Sequence, residues 1–382
     1  MPALRTPAHP YSQRWSLAPD GAIPLTTADM DLPTDPLILN AITERLTRPL
    51  AYPPPYTTGG LGDVLADHYR TRYQADVTRT CFWLLAGTLH AAYLILSELL
   101  RPGDEALFLS PSYRFIPEAI THAGATAVRV PLDPDRGIAR EDIERRITAR
   151  TRAIHLCNPH NPTGHMLSRR ELADIADAAR DHDLVIVSDE IHCRLILDAH
   201  RRHIPIATLS ADTAQRTFTL DGPTKSHNLA GLGGAIVWTP DAYALRELRH
   251  RLDHRAAPAR ALQQAAIAAA YATDSPWLTH TLHQLRRNRD LVEQALHPHQ
   301  GLVSYRPGPA TYLAWLDFHD TFGPQPAHQA LAEHGVLLEP GPEFGAPPRY
   351  ARLSFATTPD LLSAALDRIT TALAARQKRS PR

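Results

Sequence analysis

The run Ala153-Ile-His-Leu-Cys-Asn-Pro-His-Asn-Pro-Thr-Gly164 carries a short apolar stretch straight into a polar turn. The same construction recurs twice further on. Leu184-Val-Ile-Val-Ser188 runs into Asp189-Glu-Ile-His192, and Thr217-Phe-Thr-Leu220 runs into Asp221-Gly-Pro-Thr-Lys225. Continuously apolar strands of this kind, rather than alternating ones, belong to parallel sheets covered on both faces. Further runs of strand length lie at Ala106–Leu109, Ala127–Val130 and Ala235–Trp238. Helical stretches fall between them: Leu61–Tyr73, a glycine turn feeding a helix after Ala86-Gly87-Thr88, Glu141–Ile147 and Arg170–Asp181. This alternation predicts an α/β fold around a mostly parallel sheet. In such a sheet ligands bind beyond the carboxyl ends of the strands, which is where all three polar turns fall.

Toward the C-terminus the pattern changes. A long helix over Leu282–Leu296 leaves the sheet, followed by a strand at Tyr312–Phe318, a helix at Ala327–His334, a strand at Tyr350–Phe355 and a last helix at Asp360–Ala375. The expected organisation is an N-terminal segment (1–45) packed on a small α+β C-terminal domain (286–382), with a large α/β domain (46–285) between them. The closing Arg-Gln-Lys-Arg-Ser-Pro-Arg is expected to be a solvated tail.

Composition narrows the function classes. The 382 residues, 43% of them hydrophobic, are enough for two or three domains with a substantial core. Forty basic residues balance forty acidic ones, whereas binding nucleic acid or an acidic membrane surface needs a basic face. Three cysteines (Cys81, Cys157, Cys193) are too few for a disulfide scaffold, so a reducing cytoplasm is the expected compartment. The first fifteen residues hold no apolar stretch, so a secretory signal is not expected. The longest apolar run, Ala91–Leu100, is about half of the ~20 residues that span a bilayer. The histidines are scattered, and no metal-ligand spacing, G-x-G-x-x-G, H-E-x-x-H or G-x-S-x-G occurs.

One count stands out. Of the forty basic residues only Lys225 and Lys378 are lysines, leaving 38 arginines. Arginine stays protonated, whereas a lysine amine can lose its proton and form a Schiff base. Lys378 lies in the charged tail, so Lys225 is the internal lysine of a chain that otherwise uses arginine, and it becomes a chemical candidate. Taken one at a time the other signals have plain structural explanations. Asn-Pro-His-Asn-Pro-Thr-Gly reads as a turn, and an Asp at a strand end reads as a helix cap.

Together, and in this order, these motifs resemble the fold-type I pyridoxal-phosphate (PLP) enzymes, the aspartate-aminotransferase superfamily with its class I/II aminotransferase-like fold. Within it the chain looks most like the cystathionine β-lyase (C–S lyase) subgroup. Arg14-Trp15, Thr27-Ala-Asp-Met-Asp-Leu-Pro33, Ser188-Asp-Glu-Ile-His192, His203-Ile-Pro205, Thr224-Lys-Ser-His-Asn-Leu-Ala-Gly-Leu232 and Pro309-Ala-Thr-Tyr-Leu-Ala-Trp-Leu-Asp-Phe318 carry the likeness. His192 stands where ordinary aminotransferases carry Tyr. The resemblance implies a large PLP-binding domain with a mostly parallel, seven-stranded sheet between helices. It makes Lys225 the residue that holds PLP covalently and moves the α-proton, and Asp189 the partner of the pyridine nitrogen. Asn161 would bond the ring's phenolic oxygen with His192 close by, and Tyr113 would stack on the ring. Gly87 and Thr88 would offer backbone N–H groups to the phosphate, with Thr224 assisting. Arg352 would clamp the substrate carboxylate bidentately. Tyr56, or more weakly Tyr52, would reach the neighbouring subunit's phosphate, which implies a homodimer with shared sites.

There are departures from the pattern. Gly222 replaces a usual phosphate-binding serine, and Gly233-Gly234 stand where an arginine is often found. His227 takes the place of Phe, and Arg194 that of an Asp. The activity implied is cleavage of a cysteine S-conjugate or cystathionine-like amino acid to thiol, pyruvate and ammonia, in a specialised pathway. Transamination, or decarboxylation coupled to oxidative deamination, is the alternative chemistry. A non-catalytic PLP-binding regulator would have lost the lysine first.

Overall fold

The computed structural model describes residues 12–53, 55 and 58–377. Seven strands form the central sheet: β1 (Phe82–Leu85), β2 (Glu105–Ser110), β3 (Thr126–Pro131), β4 (Thr151–Cys157), β5 (Val185–Asp189), β6 (Thr217–Asp221) and β7 (Ala235–Trp238). Their spatial order is β1-β7-β6-β5-β4-β2-β3. All neighbours run parallel except β7, which is antiparallel to both β1 and β6. The mostly parallel sheet expected from the apolar runs is therefore present, with one reversed strand near its edge.

Side chains alternate between the two faces, and each face has its own cover. Trp83, Leu85, Ala106, Phe108, Ala235 and Val237 pack on the helices Thr88–Leu99, Phe115–His122 and Ala242–Leu252. The alternate residues face the other way. Phe82, Leu84, Ile236 and Trp238 meet the helices Leu61–Tyr73 and Ala261–Ala272, while Leu107, Leu109, Ile154 and Ile186 meet Arg169–Asp181. Burial on both faces is why these strands read as unbroken apolar runs. The helix Arg169–Asp181 begins where its sequence directs: Glu171 N–H donates to Ser168 Oγ and Ser168 N–H donates to Glu171 Oε2, a reciprocal cap.

A second core lies outside this sheet. It joins Ile23–Leu32 to residues from Leu285 through Leu373. Its antiparallel sheet contains β8 (Leu313–Asp317) and β9 (Tyr350–Ser354), flanked by the short strands Ser304–Tyr305 and Glu339–Pro340. Ile23–Pro24 pairs in parallel with Val336–Leu337, so the N-terminal segment is bonded to this sheeted unit. The long helix Pro276–Leu296 is tied in by Asn288, whose Nδ2 donates to the carbonyls of Phe355 and Thr357 at 2.8 Å each. It starts six residues before the apolar pattern indicates, because Ser275 caps it (Trp277 N–H to Ser275 Oγ, 3.1 Å) and Pro276 fits the first turn.

The N-terminal segment is locked by a buried charge. Arg14 Nη2 lies 2.6 Å from Asp31 Oδ2, with both side chains almost fully enclosed. Trp15 Nε1–H and Thr357 Oγ1–H each donate to Asp31 at 2.7 Å. Removing one member of a buried pair strands the other charge. Arg14→Ala is expected to cost about 3–5 kcal/mol of unfolding free energy, read from the midpoint of urea denaturation.

Candidate active site

The three polar turns meet at one end of the sheet. Pairing of Cys157 with Asp189, and of Asp189 with Leu220, brings the ends of β4, β5 and β6 level. Past them the chain delivers Asn161, His192 and Lys225, and β9 delivers Arg352 from the second core.

Lys225 Nζ–H donates to the Ala28 carbonyl at 2.8 Å, and the same oxygen accepts from Tyr312 Oη–H at 3.0 Å. Burial, reinforced by the nearby Arg352 guanidinium, pushes the amine down to about 8, against the pull of Asp29 and Asp189. Asp189 is driven the other way. Desolvation raises its carboxyl to about 7, helped by Asp221 and Glu190 and opposed by the Ile191 N–H (3.1 Å) and Lys225. His192 is held neutral, its pKa lowered to about 3 first by burial and then by Lys225 and Arg352. Its Nδ1 is buried with no hydrogen-bond partner among the described residues, and its ring meets Tyr312 edge-on at 6.2 Å.

Arg352 Nη1 donates to Asn161 Oδ1 (3.0 Å) and Nη2 to the Thr26 carbonyl (2.9 Å), while its Cζ lies 4.9 Å from the Phe344 ring centre. Tyr113 is close enough to Arg352 and Glu339 for both to act on its phenol, whose pKa burial raises. Gly87 precedes the helix Thr88–Leu99, and no side chain caps that N-terminus. A Cβ on Gly87 would meet nothing within 4 Å, so the first N–H groups open onto free space. Thr224 is half-buried beside the lysine. Tyr52 is 92% exposed, and Tyr56 lies outside the described residues.

The departures have structural causes. A Cβ on Gly222 would come within 2.6 Å of the Gly234 carbonyl, so a serine cannot stand there without displacing backbone. Gly233 has φ +77°, and its Cβ would approach the Ala86 carbonyl to 2.7 Å. That carbonyl accepts from Gly234 N–H at 2.7 Å, which pins the turn leading into Gly87. Arg194 is buried in a structural role: it donates to the Ala270 carbonyl at 2.6 Å and covers the Tyr271 ring. His227 stacks on Trp277 and bonds Ser226 Oγ at 2.8 Å.

Sequence reasoning did not give roles to Ala28, Asp29, Tyr312, Glu339 or Phe344. Ala28, Asp29 and Tyr312 lie inside quoted motifs, but a carbonyl acceptor and a tyrosine 87 residues beyond Lys225 have no spacing to betray them.

With this geometry in place, comparison with known proteins is direct. The family model "Aminotransferase class I and II" matches residues 22–369. The chain belongs to this family. It is 30% identical to the cystathionine β-lyase PatB of Bacillus subtilis, over 85% of each chain. It is 28% identical to the aromatic-amino-acid aminotransferase 2 of Thermococcus litoralis, over 92% of this chain and 91% of that one. A Corynebacterium diphtheriae structure, assigned provisionally as a PLP-dependent β-cystathionase, superposes with a TM-score of 0.87 at 26% identity, covering 95% of this chain and 96% of that one.

PLP is the cofactor of this family, and the residues present fit it. Asp189 is a buried carboxylate short of a positive partner, which a protonated ring nitrogen supplies. His192 Nδ1 awaits a partner, and the uncapped helix at Gly87 suits a phosphate.

Lys225 must be neutral to attack an aldehyde, and its folded pKa lies near 8. Attachment of PLP to the cofactor-free protein is therefore expected to quicken from pH 7 to pH 9, with a midpoint near 8, in stopped-flow absorbance. Arg352→Gln removes a repelling charge, so the midpoint is expected to rise.

Proposed function

We propose that the chain is a PLP-dependent carbon–sulfur β-lyase, which converts a cysteine S-conjugate or cystathionine-like amino acid and water to thiol, pyruvate and ammonia. His192 carries this reading: a buried neutral imidazole takes the place three residues after Asp189, beside Lys225. The likeness to the B. subtilis cystathionine β-lyase supports it. PLP, when bound, supplies an electron sink that makes the substrate's α-proton acidic.

The chain's own residues do the rest. Arg352 and Asn161 orient the substrate carboxylate and the cofactor ring at one edge of the site. Lys225, with its amine near neutrality, takes the α-proton and returns a proton to the departing sulfur. Ala28 fixes the direction of the lysine through the carbonyl that both Lys225 and Tyr312 bond, and His192 packs edge-on against Tyr312.

Transamination is the second reading, favoured by the aminotransferase relative that spans the same length of chain. L-Cystathionine separates them. The lyase reading expects pyruvate and free thiol without any added keto acid; release of product only with a 2-oxo acid acceptor identifies an aminotransferase. Lys225→Ala is expected to abolish the visible band of bound PLP while leaving the far-UV dichroism intact. A band that persists in that variant removes Lys225 from the site.

A cytoplasmic homodimer completes the proposal. Leu39 (48% exposed) and Leu46 (52% exposed) share one face of the helix Pro36–Leu46, and Leu50 (62% exposed) and Tyr52 follow in the chain, leaving apolar surface open there. A second copy of the chain would cover it. Tyr56→Phe is expected to weaken PLP retention several-fold by equilibrium dialysis, and an unchanged dissociation constant removes Tyr56 from the shared site.

A further inference from the structure

The small sheet presents a row of side chains around Arg352. Glu339 and Trp315 stand directly opposite it on the two neighbouring strands, and opposed residues of antiparallel strands share one face. The Glu339 carboxylate lies 3.4 Å from Arg352 Nη2, and its side chain keeps about a quarter of its surface exposed. Phe344 lies against the guanidinium, Trp315 meets Phe344 edge-on at 5.2 Å, and Tyr113 stands 6.3 Å from Phe344. The guanidinium thus lies against the Phe344 ring, with Trp315 and Tyr113 packed around that ring and one accessible carboxylate beside it.

We propose that Glu339 is a charge filter for the substrate's side chain: the site accepts side chains that are cationic or of zero net charge, the zwitterionic end of a cystathionine-like substrate included, and rejects those of net negative charge. This rests on the reading of Arg352 as the clamp for the substrate α-carboxylate. Once that clamp is engaged, the charged group beside it on the same face of the sheet is the Glu339 carboxylate. A side chain whose only charge is a carboxylate meets it as like charge against like charge. A cationic side chain meets the same carboxylate as a partner and the rings of Trp315, Phe344 and Tyr113 as favourable surfaces.

Three amino acids of similar size test the filter: S-(2-aminoethyl)-, S-(2-hydroxyethyl)- and S-(carboxymethyl)-L-cysteine. Their dissociation constants are read from the change in the visible band of the PLP-loaded enzyme, so the measurement does not depend on any bond being cleaved. The cationic ligand is expected to bind at least about tenfold more tightly than the anionic one, with the neutral ligand between. Glu339→Gln is expected to shrink the cation-to-anion ratio to about threefold or less. Because the ratio is taken within each protein, a general loss of affinity in the variant cancels, and Glu339→Ser provides a second variant should glutamine disturb the sheet. A wild-type ratio near one, or a ratio unchanged in both variants, overturns the filter and leaves Glu339 as an orienting partner of Arg352. Absence of pyruvate and thiol with the expected ratio intact overturns the lyase reading alone. Unchanged affinity for all three ligands in Arg352→Gln overturns the clamp, and the filter with it.

Discussion

Everything in the site depends on how a lysine amine is kept in a place that resists its charge. An ammonium taken from water favours the neutral form, and a neighbouring guanidinium adds to that push. In this fold the amine of Lys225 leaves β6, in the large sheet, and donates to a carbonyl of the N-terminal segment, which belongs to the other core. Tyr312, from the small-sheet unit, donates to that same carbonyl. One oxygen, Ala28 O, therefore joins the three parts of the chain that must agree on the position of the reactive nitrogen. The buried Arg14–Asp31 pair, three residues beyond it, holds the segment in place. An element far from the lysine in sequence thus controls its direction.

The balance of charge follows from that placement. Lys225 and Arg352 repel one another, and each lies close to carboxylates that soften the repulsion: Asp29 and Asp189 for the lysine, Glu339 for the arginine. His192 stays neutral first because it is buried, and the charges of Lys225 and Arg352 add to that push. A tyrosine at that position would answer the two cations differently, since its phenol titrates by losing a proton to give an anion, whereas imidazole titrates by gaining one. The substitution that marks the subgroup in sequence is therefore also a physical difference in the site.

Much of the fold was legible because its signals were periodic or terminal. Strands buried on both faces appear as unbroken apolar runs, and the helix Leu61–Tyr73 carries its boundaries in Gly60 and in its apolar face. β1 was not picked out, since Phe82–Leu85 runs without a polar break into the flanking Cys81 and Ala86, which leaves its ends unmarked. The helix Ala261–Ala272 escaped because seven of its twelve residues are alanine, which distinguishes a face only weakly. Within the site, lysine scarcity singled out Lys225, and the polar strand ends singled out Asp189, Asn161 and His192. Glu339 and Phe344 were not legible. They join Arg352 only through the pairing of short antiparallel strands and the turn after Pro340, and neither leaves a pattern in one dimension.

The three glycines of the phosphate side show the limit of reading a site by residue type. Gly222, Gly233 and Gly234 look like losses, each taking the place of a side chain that could bind an anion. The structure gives them another purpose. Without side chains, the loop that follows Lys225 lies directly on the turn that precedes Gly87, with the carbonyl of Gly234 against Gly222 and its N–H on the Ala86 carbonyl. A side chain at Gly233 would collide with the Ala86 carbonyl and one at Gly222 with the Gly234 carbonyl, so either would displace the backbone at this contact. In the proposed site a fixed geometry of backbone donors would take the place of side-chain contacts to the phosphate, and fixed dipoles in a low-dielectric cleft bind an anion without having to reorganise.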